Sequence, residues 1–254
     1  FTNSGAESVE AAIKLSRSAS EKKGILAASN SFHGKTLGAL SATGNPEYQE
    51  SFGAPVAGFD YIKYGDINSL EKKLKNNPDK YAALILEPIQ GEGGIVIPPE
   101  GYLKEAYQLC RENNVLFMAD EVQSGMGKTG SYFAYQHYDV KPDMLAMAKA
   151  LGNGFPIGAF TARRSLADTL GAGSHASTFG GTPLACAASL AVLETFREEK
   201  VLQNCRAASD SLWSGLKAMQ NRHSQIQEIR GLGLMVGIML DRPAGPYLKE
   251  ARNQ

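Results

Sequence analysis

Short apolar runs alternate with segments of helical periodicity along most of this chain, and that alternation restricts the fold more than any other feature. The runs are residues 25–28 (ILAA), 59–62 (FDYI), 82–86 (AALIL), 115–119 (VLFMA) and 144–148 (MLAMA). Each has strand length, and most are apolar throughout, as strands covered on both faces are. Between them lie helical patterns: one opening near Gly5 with Val9, Ala12, Ile13 and Leu15 on one face, a short one after Gly34, a charged one around 70–74, and an amphipathic one over 102–110. Strand–helix alternation of this kind predicts an α/β fold, a mostly parallel sheet with helices on both faces. A further strand is expected over 157–161, just past Lys149. Helices are expected from Pro183 onward and over 201–219, and a glycine-bounded strand over 231–240 (GLGLMVGIML) opens a second, smaller domain.

Bulk properties remove several classes. Lys plus Arg number 26 and Asp plus Glu number 26, so no global charge favours nucleic acid or an anionic membrane. The apolar runs are far shorter than the roughly 20 residues that span a bilayer. Cys110, Cys186 and Cys205 lack metal-ligand spacing and read as small buried hydrophobes in a reducing, cytoplasmic setting. His33, His137, His175 and His223 form no zinc signature. Phe1 leads straight into a motif, and Asn253-Gln254 closes a polar stretch. Both ends therefore suggest a piece of a longer protein.

Two polar residues terminate strand-like runs: Asp120 after 115–119 and Lys149 after 144–148. Open α/β sheets hold ligands outside the carboxyl ends of their strands, so both would face one crevice. Taken singly, either is an ordinary turn charge. Together, an amine that can form a Schiff base and a carboxylate that can keep a ring nitrogen protonated suit pyridoxal-phosphate chemistry. Such an amine works best with a lowered pKa, which burial would provide.

Other motifs need the same two-sided reading. Residues 125–130 (GMGKTG) satisfy G-x-G-x-x-G, but Val122 occupies the place of the first Walker glycine, and the run neither joins strand directly to helix nor opens one. A nucleotide-binding protein is the alternative that this run offers; a turn beside Gln123 suits it better. Ser4-Gly5-Ala6-Glu7 matches a capping box, and the free amides of Gly5 and Ala6 at a helix start would suit a phosphate. Phe32, in Phe32-His33-Gly34, is either core or a ring that stacks on a planar cofactor. Glu87 and Glu92, on a glycine-rich stretch after a buried strand, either cap a turn or shape a pocket.

Taken in order, the words Asn3-Ser4-Gly5-Ala6-Glu7, Ser31-Phe32-His33-Gly34-Lys35-Thr36, Ser41-Ala42-Thr43-Gly44, 87–94, 120–130, 149–158 and Ser177-Thr178-Phe179-Gly180-Gly181 cover nearly the whole chain. In this arrangement the chain resembles the class III (ornithine/4-aminobutyrate type) pyridoxal-phosphate aminotransferases. The resemblance implies fold type I, with residues 1–190 as the cofactor-binding large domain and 191–254 as the start of the small one. It implies Lys149 as the Schiff-base lysine and proton shuttle, and Asp120 as partner of the pyridine nitrogen. Gln123 would bond the ring hydroxyl, with Val122 and Phe32 on the two ring faces and His33 beside them. Ser4 and the amides of Gly5 and Ala6 would hold the phosphate. Ser177 and Thr178 would reach the phosphate of a second subunit in a homodimer. Glu92 would be the switch carboxylate of the substrate pocket and Glu87 its support.

Residues 155–158 (FPIG) and 41–44 (SATG) favour the acetylornithine branch. That implies transfer of the terminal amino group of N-acetylornithine to 2-oxoglutarate. Relatives acting on succinylornithine or diamines share these words, so these, ornithine and 4-aminobutyrate aminotransferases, and glutamate-1-semialdehyde aminomutase, which has the same cofactor apparatus, stay as alternatives. Ala176 and Thr182 depart from the family's glycine and asparagine in the interface loop, and the arginine that receives the substrate carboxylate has no counterpart here. A non-catalytic fragment is the remaining alternative.

Overall fold

The computed structural model describes residues 1–253. Six strands form one sheet: β1 (Gly24–Ala28), β2 (Phe59–Ile62), β3 (Tyr81–Leu86), β4 (Leu116–Asp120), β5 (Met144–Met147) and β6 (Ala159–Ala162), in the order β2-β1-β3-β4-β5-β6. All neighbours are parallel except the β5–β6 pair. The helices in chain order are α1 (Gly5–Ser20), α2 (Leu37–Ala42), α3 (Pro46–Gln49), α4 (Ile67–Asn76), α5 (Tyr102–Glu112), α6 (Pro183–Glu198), α7 (Val201–Arg222) and α8 (Gly245–Ala251). No helix among the described residues is long and apolar enough to cross a membrane.

Side-chain alternation explains why uniformly apolar runs become these strands. Ile25 and Ala27 of β1 join Ala83 and Ile85 of β3 and Met118 of β4 in one core, under Val9, Ala12 and Ile13 of α1. Leu26 and Ala28 join Leu84, Leu86 and Phe117 in the opposite core, under Leu70 and Leu74 of α4 and Leu103 and Ala106 of α5. Successive residues thus face opposite layers, and both layers are closed by helices. Burying each large aliphatic side chain there contributes about 1.5–3 kcal/mol.

Three expectations require correction. The run 231–240 is not one strand. β7 (Ile226–Leu232) and β8 (Met235–Leu240) form an antiparallel hairpin that turns at Gly233-Leu234. Gly233 has φ +62, and its Cα side packs so closely on Thr129 that a Cβ would lie 2.6 Å from the Thr129 Cα. The strand after Lys149 begins at Ala159, two residues later than expected, and runs antiparallel. Cys186 is half-buried, while Cys110 and Cys205 are buried; all three are free thiols.

The capping box at Ser4 is only half formed. Ser4 Oγ accepts the Glu7 amide at 3.3 Å, but the Glu7 carboxylate reaches past Ser4 to the backbone N–H of Asn3 at 2.8 Å and to its side-chain amide. The start of α1 is also tied across the sheet. Thr2 and Gly158 exchange backbone hydrogen bonds of 2.8 Å, and Ser8 Oγ donates to the carbonyl of Met147. Those ties set the first amides of α1 beside the carboxyl end of β5. The expected domain boundary at 190/191 falls inside α6.

Candidate active site

Four adjacent parallel strands, β1, β3, β4 and β5, deliver the candidate residues at their carboxyl ends. Phe32 and His33 follow β1, Glu87 follows β3, Asp120 ends β4, and Lys149 stands two residues beyond β5. The chain steps from β1 outward to β2 and returns to β3 on the other side of β1. This is the kind of switch point outside which open sheets form a crevice.

Asp120 is buried, and its two oxygens have different partners. Oδ1 accepts the backbone N–H of Val122 at 3.0 Å, and Oδ2 lies 2.7 Å from Nδ1 of His33. Burial works against a charged His33, but its bond to Asp120 and the nearby charges of Asp120 and Glu87 prevail, so its pKa is raised. A proton on Nδ1 then donates to Asp120. The backbone of His33 is held by Thr43, whose hydroxyl accepts its N–H at 2.9 Å. Thr43 belongs to the word 41–44, which carried the family resemblance and the branch assignment but no site role.

Glu87 is buried behind this pair. Its carboxylate accepts the backbone N–H groups of Phe32 at 3.1 Å and Gly91 at 3.1 Å. Desolvation raises its pKa to about 7, against the lowering effect of His33 and those two donors and with a smaller push upward from Asp120. Glu87 therefore fixes the segment that carries Phe32. Phe32 is half-buried and meets Tyr48 edge to face at 6.1 Å. Glu10 of α1 fastens the far end of the same segment, accepting the Gly38 and Ala39 amides at 2.9 and 3.1 Å. It takes over the capping that Thr36 leaves undone.

Lys149 differs from expectation: it is exposed, not buried. Its backbone is left-handed at φ +49, a conformation that costs a non-glycine residue about 1–2 kcal/mol. Strain of this kind collects at functional positions. Lys149 lines a cleft of about 650 Å³ with Asn3, Ser4, Gly5, Val122, Lys128 and Asn153. Val122 closes one side because Gly5 has no Cβ; one added there would lie 2.7 Å from Val122 Cγ1.

Gln123, next to Val122, carries the clearest unmet demand. Its side-chain nitrogen is buried without a hydrogen-bond partner among the described residues, as is Nε2 of His33. The Gln123 amide is also packed against Gly91, where a Cβ would lie 2.6 Å away. Ser177 sits near the start of α1, accepting from the Asn3 amide at 2.9 Å, while Thr178 is exposed. Glu92 is exposed on the loop pinched by the Gln90–Val96 bridge. Arg230 donates to the Gly94 carbonyl at 2.8 Å on that loop. The glycines of 125–130 form turns after Gln123, with no helix opening there.

A mostly parallel α/β sheet carries a carboxylate and an amine at the carboxyl ends of adjacent strands, with the start of α1 lining the cleft beside the amine, which is the arrangement of ligand-binding open α/β proteins. The family model described as "Aminotransferase class-III" matches residues 1–254, and the chain belongs to that family. It is 44% identical over 252 residues to acetylornithine aminotransferase of Methanothermobacter thermautotrophicus, covering 99% of this chain and 64% of that one. It is 45% identical over 259 residues to ornithine aminotransferase of Bacillus cereus, covering 98% and 64%. The fold matches taurine:2-oxoglutarate aminotransferase of Bifidobacterium kashiwanohense, solved in complex with PLP and glutamate. That match has a TM-score of 0.91 at 29% identity, over 97% of this chain and 64% of that chain. The chain thus spans a little under two thirds of the length of these relatives.

The family's cofactor is pyridoxal phosphate, and the residues present fit it. The unpartnered Gln123 nitrogen can donate to an oxygen on a ring, and Asp120 can accept from a ring nitrogen. The start of α1 offers amides to a phosphate.

Proposed function

We propose that this chain is the cofactor-binding part of a pyridoxal-phosphate-dependent aminotransferase acting on N-acetylornithine with 2-oxoglutarate as acceptor. The observation that supports the reading is that adjacent parallel strands carry Asp120 and Lys149 at their carboxyl ends, with His33 bonded to the carboxylate. When bound, the cofactor supplies an aldehyde that takes up an amine and a ring that accepts an electron pair.

The chain's own residues do the rest. Lys149 would supply the amine that holds the aldehyde and would move a proton at the donor carbon. Asp120 would keep a proton on the ring nitrogen, and His33 orients Asp120 through the bond to its Oδ2. Gln123 donates to the ring hydroxyl. Val122 and Phe32 confine the two faces of the ring. Gly5 and Ala6, with the Ser4 side chain, hold the phosphate. Glu87 positions Phe32, and Glu92 adapts the pocket between donor and acceptor.

The donor assignment rests on acetylornithine aminotransferases at 44–47% identity. Ornithine is the second reading, favoured by relatives at 45%. A homodimer with shared sites is part of the proposal. Phe179 and Leu184, near Thr178 in sequence, are large apolar side chains 69% and 66% exposed, which suits burial against a second copy. Free thiols agree with a reducing, cytoplasmic location.

The test is glutamate formation from 2-oxoglutarate with N-acetylornithine, ornithine, succinylornithine and 4-aminobutyrate offered separately. N-acetylornithine is expected to give the highest kcat/KM. Turnover without any keto acid would instead indicate an aminomutase, and no glutamate from any donor would refute the assignment.

A further inference from the structure

Residues 124–130 are buried with one exception, Lys128. The turn that carries it is gripped from behind at every step. Gly127, at φ +84, lies so near Phe196 of α6 that a Cβ would be 2.6 Å from that ring. The Lys128 carbonyl accepts the Leu234 N–H at 2.9 Å and faces the Cys205 thiol at 3.6 Å. Thr129 meets His137 Nε2 at 3.1 Å, and the Gly130 carbonyl accepts from Arg206 at 2.7 Å. A backbone held this way fixes where the Lys128 side chain begins.

That side chain lines the same cleft as Lys149. Among the described residues, no carboxylate oxygen lies within 4.0 Å of its ammonium. The carboxylates near the cleft are engaged elsewhere: Asp120 with His33 and the Val122 amide, Glu7 with Asn3. Two ammonium groups therefore share a concave site with no ionic partner of their own. Lys149 is committed to the aldehyde under the proposed function. Lys128 is left with a charge that the cleft does not neutralise.

We propose that Lys128 is an oxyanion-binding residue of this cleft, pairing with the cofactor phosphate or with a substrate carboxylate. The inference rests on the aminotransferase reading for the identity of the anion, and on the clamped turn and its lone exposed cation for the site. An ammonium–oxyanion hydrogen bond in a partly enclosed cleft is worth about tenfold or more in affinity.

The experiment compares the parent chain with Lys128→Gln and Lys128→Arg. Affinity for pyridoxal phosphate and for pyridoxal, which lacks the phosphate, is read from visible absorbance. Binding of glutarate to the loaded chain is read by calorimetry. If phosphate is the partner, Lys128→Gln lowers the affinity for pyridoxal phosphate about tenfold and leaves pyridoxal unchanged. If carboxylate is the partner, the glutarate affinity falls by that factor instead. In both cases Lys128→Arg retains most of the binding. Changes below twofold in both ratios for Lys128→Gln overturn the proposal. Should the parent fail to take up the cofactor, the aminotransferase reading fails separately. Inorganic phosphate and glutarate titrated into the unloaded chain then decide on Lys128 by the same twofold criterion.

Discussion

Nδ1 of His33 lies 2.7 Å from Oδ2 of Asp120, and both side chains are buried, so the carboxylate that ends β4 is held by an imidazole carried on the segment after β1. The two residues are 87 positions apart in sequence. Under the proposed function His33 would be a positioning residue, acting through Asp120. His33→Ala leaves a buried carboxylate oxygen short of a donor, at a cost of about 1–3 kcal/mol. Expected is a fall in kcat with KM for the amino donor within about twofold, together with a changed visible spectrum of bound cofactor. A rise in KM with kcat and spectrum intact would place His33 in donor binding instead.

Glu87 gives the fold a pH dependence of known sign. Its pKa is raised to about 7 in the folded chain by desolvation, while the unfolded chain has the ordinary value of 4.5. A raised carboxyl pKa means that its contribution is fully present below 4.5 and is lost as pH climbs to about 7. The loss amounts to about 3 kcal/mol, since each unit is worth about 1.4 kcal/mol. His33, also raised, loses its contribution in the same direction above its ordinary value of 6.5. Urea unfolding of the parent and of Glu87→Gln between pH 4.5 and 7.5 separates them. The parent is expected to lose stability relative to the variant up to pH 7 and then to run parallel with it. A constant difference across the range would show that Glu87 does not titrate there.

Gly5 and Val122 form a second checkable pair. A Cβ at residue 5 would lie 2.7 and 2.9 Å from the two Val122 methyls, so Gly5→Ala must displace Val122. Alanine is otherwise the better helix residue by about 1 kcal/mol. Gly5→Ala is expected to weaken cofactor affinity severalfold without lowering thermal stability by more than a few degrees. Adding Val122→Ala is expected to restore most of that affinity. Equal, additive losses in the double variant would show that the two sites do not communicate.

Legibility in the sequence followed the physics of each feature. The parallel strands were readable because both of their faces are buried, which leaves an unbroken apolar run. Asp120 and Lys149 were readable as strand-end residues for the same reason: each follows such a run directly. The β7–β8 hairpin was not readable as two strands, because Gly231 and Gly233 look alike in sequence while close packing on Thr129 places the turn at Gly233. The exposure of Lys149 was hidden because its left-handed backbone lifts it off the line of β5. Thr43 and Glu10 were missed because each acts through backbone amides of a distant segment. The packing of α1 on the 36–39 segment reveals the Glu10 contact, and the return of the chain after α2 reveals that of Thr43. Lys128 lies inside a glycine-rich run, and only the packing of that turn on α6, α7 and the β7–β8 hairpin leaves it as the exposed residue there.

The central claim is that Lys149 is the amine that meets the cofactor aldehyde. Its most direct test is borohydride reduction of the pyridoxal-phosphate-treated chain followed by peptide mapping. One stoichiometric label on Lys149, absent from Lys149→Ala, is the expected result. A label on Lys128 or on surface lysines alone, with Lys149 unmodified, would contradict the account.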